Sequence, residues 1–213
     1  MADRINSKAK GSKNERDICK WWEEWTGYDF SRVPSSGGLR WQRTLDTTGD
    51  ILCSDKKHCL KFPFSIECKS YKEIKFEHVL LGNKSCDILK FWEQASEDAK
   101  RGEKQPILMM RYNSMPKNEY FFVVSRWIGE ILLSASDSES DRKLLTPYMT
   151  LRLPESKGLM IFMASKVADH TSYAKVYEGL KEGLAYLRKQ DRIIEKATHK
   201  KIKKINENPL EVW

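Results

Sequence analysis

Two acidic residues and a lysine stand at a spacing that neighbouring strands would bring together. Asp50 follows the turn residue Gly49, and Glu67 lies in an apolar run with Lys69 two residues beyond it. Side chains two apart on a strand point to one face, so we expect Glu67 and Lys69 side by side. Mg²⁺ prefers oxygen ligands and commonly combines one or two carboxylates with phosphate oxygens. The pattern therefore predicts metal-assisted phosphodiester chemistry, with the lysine activating a water or stabilising charge on phosphorus.

A β-hairpin is the element that would position these side chains. The apolar pair at residues 51–52 predicts a short strand, residues 54–57 a turn, and residues 62–68 the returning strand. In an antiparallel pair the two carboxylates would lie next to each other at one end of the hairpin.

A helix ahead of the hairpin carries another acidic residue. The pattern predicts a helix from Asn14 to Thr26, closed by Gly27, with an apolar stripe that includes Ile18 and Trp22. Glu15 falls on the same face as this stripe. It is either a favourable charge in the first turn of a helix or an inward-facing acid of a metal site.

Several further side chains are candidates for contact with a polyanion. The Ser-Ser-Gly-Gly segment at residues 35–38 exposes backbone amides that suit a phosphate, although an ordinary surface turn has the same composition. A second amphipathic helix is predicted at residues 87–101, with Gln94 at the edge of its apolar face. The candidates for contact with such a polyanion, of which DNA is one, are Lys10, Lys13, Ser35, Ser36, Arg40, Arg43, Gln94, Lys200, Lys201, Lys203 and Lys204.

The charge of the chain is concentrated at its two ends. The formal net charge is +8 over 213 residues, and both residues 1–20 and residues 181–204 have an excess of Lys and Arg over Asp and Glu. Basic ends on a nearly neutral body are typical of arms that follow nucleic acid, while the alternative is simple solvation of terminal segments.

Composition excludes several classes of protein. No apolar run is long enough to cross a membrane, and the first residues lack the apolar stretch of a secretory signal, so we expect a cytoplasmic protein. The five cysteines lack the C-x₂-C spacing of a zinc site, which favours buried, reduced thiols.

The second half of the chain carries less chemical information. Strands are predicted at residues 107–110, 119–124 and 158–163, and a long helix at residues 172–204. The apolar positions of this helix alternate in steps of four and three. That pattern suits either a coiled-coil seam or packing against the protein's own domain.

The order of these motifs resembles the PD-(D/E)XK nuclease superfamily. The resemblance is carried by the Lys-Gly-Ser-Lys-Asn-Glu segment at residues 10–15, the Ser-Gly loop, Gly49-Asp50, and the Ile-Glu-Cys-Lys segment at residues 66–69. Within the superfamily the chain looks most like the Holliday junction resolvases of archaea and bacteriophages. The similarity covers about residues 10–125.

The resemblance implies an α/β, restriction-endonuclease-like fold, a mixed β-sheet flanked by helices, here with a long C-terminal helix. The expected parts are a flexible basic arm at residues 1–13, a nuclease domain at residues 14–165 and a basic helical extension at residues 166–213. By position, Asp50, Glu67 and Glu15 would be ligands of Mg²⁺ or Mn²⁺, and Lys69 the catalytic lysine. Gly49 stands where the family name has Pro.

The activity implied by this resemblance is cleavage of DNA, first of all branched DNA. Such an enzyme would leave 5′-phosphate and 3′-hydroxyl ends and, to cut a junction symmetrically, would act as a homodimer. Two alternatives stay open: a nuclease of another structural or sequence specificity, restriction-like, or a non-catalytic DNA-binding accessory protein of recombination.

Overall fold

The computed structural model describes residues 7–33, 48–80, 86–151 and 158–186. Within these ranges the helices are α1 (Ser7–Thr26), α2 (Glu77–Leu80), α3 (Asp87–Arg101), α4 (Arg126–Ser134), α5 (Glu139–Leu144), α6 (Ala164–His170) and α7 (173–186). The strands are β1 (Phe30–Arg32), β2 (Ile51–Cys53), β3 (Phe64–Tyr71), β4 (Gln105–Tyr112), β5 (Phe121–Ser125), β6 (Met149–Leu151) and β7 (Leu159–Met163). None of the helices described is long and apolar enough to cross a membrane.

The strands form one mixed sheet in the order β1-β2-β3-β4-β5-β7-β6. Only β3 and β4 pair in parallel, since the helix α3 connects them, and the other neighbours are antiparallel. The predicted hairpin is present, with Ile51 of β2 opposite Ile66 of β3. The predicted mixed sheet flanked by helices is therefore confirmed.

Each face of the sheet is covered by helices. Helices α1, α4, α6 and α7 pack on one face, where Trp22 is fully buried among Phe30, Phe62 and Phe64. Helices α2 and α3 pack on the other, against Leu108 and other apolar side chains. Strand β3 thus has α1 on one side and α3 on the other. This arrangement decides which side of the sheet each candidate residue occupies.

Helix α1 begins earlier than its sequence pattern predicts. It starts at Ser7, so residues 7–13, predicted as part of a flexible arm, form its first two turns. Ala9, Lys10 and Lys13 are good helix formers. The Lys10 ammonium also donates to the Asn113 side chain at the end of β4, which ties this part of the helix to the sheet.

The described part of the C-terminal helix packs on the protein's own domain. Tyr173, Val176 and Leu180 are buried in the same core as Trp25, and the Tyr173 and Trp25 rings meet edge to face at 5.4 Å. In this part of the helix, the apolar stripe therefore packs against the protein's own domain and does not form a coiled-coil seam. The lysines at positions 200–204 lie outside the described residues, and the proposed division into arm, domain and extension stays a prediction.

Candidate active site

Asp50 is held by hydrogen bonds to the strands on both sides of it. Its backbone N–H donates to the Ile66 carbonyl at 2.8 Å, and its own carbonyl accepts from the Val33 N–H at 2.9 Å. Its side-chain Oδ2 accepts from the Cys68 N–H at 2.8 Å. The carboxylate is therefore fixed against β3 at the point where Glu67 and Lys69 leave that strand.

Gly49 is what allows the chain to approach β3 so closely. Its φ of +76° lies in the left-handed region that favours glycine, and a Cβ at this position would lie 2.4 Å from the Ile66 carbonyl oxygen. The departure from the Pro of the family name thus has a local physical reason.

Glu67, Lys69 and Gln94 form a hydrogen-bonded cluster beside Asp50. Glu67 is only 2% exposed, and its Oε1 accepts from Lys69 Nζ at 2.5 Å and from Gln94 Nε2 at 2.7 Å. The Gln94 Oε1 in turn accepts from Lys69 Nζ at 3.0 Å. Glu67 and Lys69 share the face of β3 that α3 covers, and α3 places Gln94 opposite both. The sequence placed this glutamine at the edge of the apolar face of the helix and among the candidates for DNA contact, without linking it to Glu67 and Lys69.

Burial raises the pKa of both carboxyl groups. Burial, and then the neighbouring Asp50 charge, raise the pKa of Glu67 to about 7 against the partial opposition of Lys69. Burial also raises the pKa of Asp50, although the Cys68 N–H and Lys69 act in the opposite direction. Burial lowers the pKa of Lys69, but the hydrogen bond to Glu67 and the nearby carboxylates outweigh it and leave that pKa raised. The ammonium is thus charged at neutral pH.

This donor set fits a divalent cation. Two carboxylates share one partly buried place, and a single ammonium offsets their charge only in part. Hard cations such as Mg²⁺ and Mn²⁺ take such oxygen ligands, and a divalent charge would favour the ionised form of both carboxyl groups, whose pKa values burial raises.

Glu15 is placed apart from this cluster. It lies on α1, on the opposite face of β3 from Glu67, and its carboxylate pairs with Arg32, whose guanidinium also donates to Ser12 Oγ at 3.0 Å. Among the described residues, no three of the His, Cys, Asp and Glu side chains form a group that could hold a metal ion. The structure therefore brings Asp50, Glu67, Lys69 and Gln94 together. It pairs Glu15 with Arg32 of β1 instead.

Arg32 has no role in the sequence pattern, yet it has a clear place here. It stands opposite Ile51 in the β1–β2 pair, next to Asp50. In the sequence, Arg32 lies within residues 30–33, a run that predicts a short strand but indicates no chemistry. Among the other candidates, Lys10 and Lys13 lie on α1, whereas Ser35, Ser36, Arg40 and Arg43 fall outside the described residues, as do the four lysines of residues 200–204.

The prediction of buried thiols holds for Cys19, Cys53 and Cys86, whereas Cys59 and Cys68 are only partly buried. All five are free thiols, and Cys68 points away from Glu67, as strand alternation requires. Burial, followed by the nearby Asp50 and Glu67 charges, holds the Cys68 pKa well above its ordinary value.

The chain is similar to known proteins of phage and archaeal origin. A family model described as "Phage putative PDDEXK endonuclease" matches residues 6–149. The chain is 26% identical to Protein D14 of Escherichia phage T5 over 148 residues, which is 69% of this chain and 82% of that protein. It also overlaps Hjc of Archaeoglobus fulgidus, a Holliday junction resolvase, over 78% of this chain and 99% of that one, at 14% identity and a TM-score of 0.33. An overlap this loose supports no inference about substrate.

Proposed function

Because this chain belongs to the phage PDDEXK endonuclease family, and is thus a PD-(D/E)XK nuclease, we propose that it cleaves branched DNA with a divalent metal ion bound by Asp50 and Glu67. The observation that carries metal-dependent cleavage is the cluster of a buried Glu67, a charged Lys69 and Gln94 beside the fixed Asp50 carboxylate. Branched DNA is proposed because the order of the sequence motifs resembles that of the Holliday junction resolvases. Nucleases of this family generally use divalent metal ions, and Mg²⁺ or Mn²⁺ suits these ligands.

Each side chain of the cluster has a distinct part in the proposed reaction. The chemistry that a divalent cation supplies in such sites is to lower the pKa of water and to offset charge on the phosphate. Lys69 adds a second positive charge, which Glu67 and Gln94 hold in place so that it meets negative charge developing on the phosphate oxygens. Gln94 donates to Glu67 and accepts from Lys69, and so fixes both side chains at once. Because Glu67 is excluded from water, these electrostatic interactions are strengthened.

Glu15 remains a proposed member of the site. Its charge lies near enough to raise the pKa of Asp50, but its partner is Arg32. We propose that it acts on Asp50 and on the bound substrate from the α1 face of the sheet.

The test of the proposed activity compares several DNA substrates at equal concentration. The purified protein is incubated with a four-way junction, a fork, a flap and a linear duplex, each with Mg²⁺, with Mn²⁺ and with EDTA. We expect metal-dependent cutting that is fastest on the junction, with products that DNA ligase rejoins because they carry 5′-phosphate and 3′-hydroxyl ends. Equal rates on all four substrates would defeat the preference for branched DNA.

Variants separate the enzyme from a non-catalytic DNA-binding protein. Asp50→Asn and Glu67→Gln should abolish cutting and calorimetric Mn²⁺ binding while much of the DNA affinity remains, since phosphate contacts elsewhere dominate affinity. Lys69→Ala should bind metal but lose most of the activity. A wild-type protein that cuts no nucleic acid with any divalent metal would overturn the proposal. Symmetric cutting of a junction also requires a homodimer, which light scattering of the protein–junction complex tests.

A further inference from the structure

A cavity of about 320 Å³ lies on the opposite side of β3 from Glu67 and Lys69. It is enclosed by the first turns of α1 and by the side of β3 that carries Cys68 and Ser70. Lys72 and Asn113, which directly follow the ends of β3 and β4, form its rim. Because β3 and β4 run parallel with Tyr71 opposite Tyr112, both rim residues stand at one sheet edge. The Lys69 side chain projects from β3 close to the same edge, but on the other face of the sheet.

The cavity contains a buried polar group without a partner. Asn14 is 6% exposed and lines the cavity, and its Oδ1 makes no hydrogen bond. Asn14 stands one helical turn before Ile18 on the stripe of α1 that packs on the sheet, where an apolar side chain would be expected. A buried polar atom without a hydrogen bond lowers the stability of the fold. The presence of Asn14 on this stripe is therefore explained if the amide binds a ligand. The unpartnered oxygen is an acceptor, and a rotation of the amide by 180° would place the Nδ2 donor at its position, where it would suit an anion.

The charges around the cavity favour an anion. Lys10 and Lys72 both line it, and Lys72 is exposed at the rim. The acidic side chain that lines the cavity, Glu15, is paired with Arg32, so its charge is offset locally. Two ammonium groups, an amide and the Ser70 hydroxyl together form a set of donors that suits phosphate oxygens.

We propose that this cavity is a second anion subsite, which holds a phosphodiester group of the nucleic acid strand beside the group that is cut. The inference rests on the proposed nuclease function, because that function places the strand at this sheet edge. Cys68 joins the two places: its side chain lines the cavity, while its N–H binds the Asp50 carboxylate. A DNA strand that passes over the ends of β3 and β4 would meet Lys69 on one face of the sheet and Lys72 at the mouth of the cavity.

The test measures binding rather than cleavage. A fluorescein-labelled four-way junction is titrated with protein in EDTA at several salt concentrations, for wild type, Lys72→Ala, Asn14→Leu and the control Lys20→Ala. Lys20 is exposed on α1 and does not line the cavity. We expect Lys72→Ala to lower the slope of log Kd against log salt by about 0.9, the value for one duplex phosphate that the protein no longer neutralises. Lys20→Ala should leave the slope unchanged.

Asn14→Leu distinguishes a ligand group from a structural one. A leucine of similar size removes the unpartnered amide oxygen and suits the apolar stripe of α1, so the melting temperature should stay the same or rise while the affinity for the junction falls at least fivefold. Wild-type affinity in Asn14→Leu together with a wild-type slope in Lys72→Ala would overturn the proposal. If Asn14→Leu does not fold, Lys10→Ala replaces it and should lower the slope as Lys72→Ala does.

The two proposals fail in different ways. Junction binding that depends on Lys72 and Asn14 in a protein that cuts nothing would support the subsite and overturn the nuclease function. If the wild type cuts DNA, but Lys72→Ala and Asn14→Leu bind the junction as tightly as the wild type and with the same salt dependence, the subsite alone is overturned.

Discussion

At the scale of single residues, the structure shows that Gln94 belongs to the candidate active site, through contacts that the sequence pattern did not indicate. It sits on a helix, far from the D…ExK residues in the chain, and it binds Glu67 and Lys69 simultaneously. Groups that orient a metal ligand commonly change metal affinity or activity by 10–100-fold when they are removed.

We therefore expect Gln94→Ala to lower the cleavage rate or the Mn²⁺ affinity by about 10–100-fold without loss of stability. The measurement is the cleavage rate as a function of Mn²⁺ concentration. Glu93→Ala is the matched control, because Glu93 is the exposed neighbour on the same helix. Equal behaviour of the two variants would show that Gln94 only borders the site.

The raised pKa of Glu67 leads to a prediction about stability in the absence of metal. Because its pKa in the folded protein is about 7 against 4.5 for the unfolded chain, the folded state holds the proton more tightly between these values. The free energy of unfolding in EDTA should therefore fall as the pH rises from about 4.5 to about 7, by an amount on the order of 3 kcal/mol.

Urea unfolding at pH 5 and pH 7.5 measures this effect, with Glu67→Gln as the control that cannot titrate. The wild type should lose more stability than the variant over this range, and Mn²⁺ at pH 7.5 should restore it in the wild type only. Parallel pH profiles for the two proteins would mean that the Glu67 carboxyl is not held as the structure shows.

At the scale of elements, the turn into β2 is the most sensitive point of the site. Gly49 and Gly27 have similar positive φ values, 76° and 73°, but a Cβ at Gly27 meets nothing within 4 Å. Replacement of Gly27 by Ala costs only backbone strain, about 1–2 kcal/mol. Replacement of Gly49 adds the contact with the Ile66 carbonyl and so moves Asp50.

We expect Gly49→Ala to cost at least about twice as much stability as Gly27→Ala, and to lower the cleavage rate by about 10²-fold or more, since small misplacements of reacting groups have effects of that size. Thermal unfolding and the cleavage assay on the junction measure the two quantities. Gly27→Ala should keep wild-type activity. If Gly49→Ala cleaved the junction as fast as the wild type does, the close approach of Gly49 to β3 would be irrelevant to the chemistry.

The sequence predicted the elements whose signals are local. Helix α3 has the predicted bounds because an aspartate starts it, an apolar stripe runs along it and Gly102 follows it. Helices α4, α5 and α6 were not predicted, since they are only 9, 6 and 7 residues long and their periodicity is too short to stand out. Asp50, Glu67 and Lys69 were found from their spacing, whereas the Gln94 contacts and the Arg32–Glu15 pair depend on tertiary packing that the spacing does not encode.

At the scale of the whole molecule, the basic character is divided between two regions. The described body places Lys10 and Lys72 at the sheet edge beside the candidate site. The second region is residues 181–204, which begin in the last turns of the described α7 and carry a strong excess of Lys and Arg. Tyr173, Val176 and Leu180 anchor the start of this helix in the core, so the fold does not need the lysines that follow.

Truncation after Arg192 should therefore leave the fold and the metal site intact but weaken DNA binding. It removes Lys196, Lys200, Lys201, Lys203 and Lys204. Each DNA phosphate that the shortened protein no longer neutralises should lower the slope of log Kd against log salt by about 0.9, so the slope reports how many of these lysines reach DNA. Salt titrations of junction binding measure the slope, and calorimetric Mn²⁺ titration should give wild-type metal affinity.

A full-length variant with all five lysines changed to Gln separates charge from length. If the lysines bind DNA arms through their charge, this variant and the truncation should flatten the salt dependence equally, because counterion release depends on charge alone. A flatter slope in the truncation only would mean that the segment binds DNA by interactions of another kind. An unchanged slope in both proteins would mean that the lysines are a solvated end, and the DNA affinity would then depend on the sheet edge and its lysines.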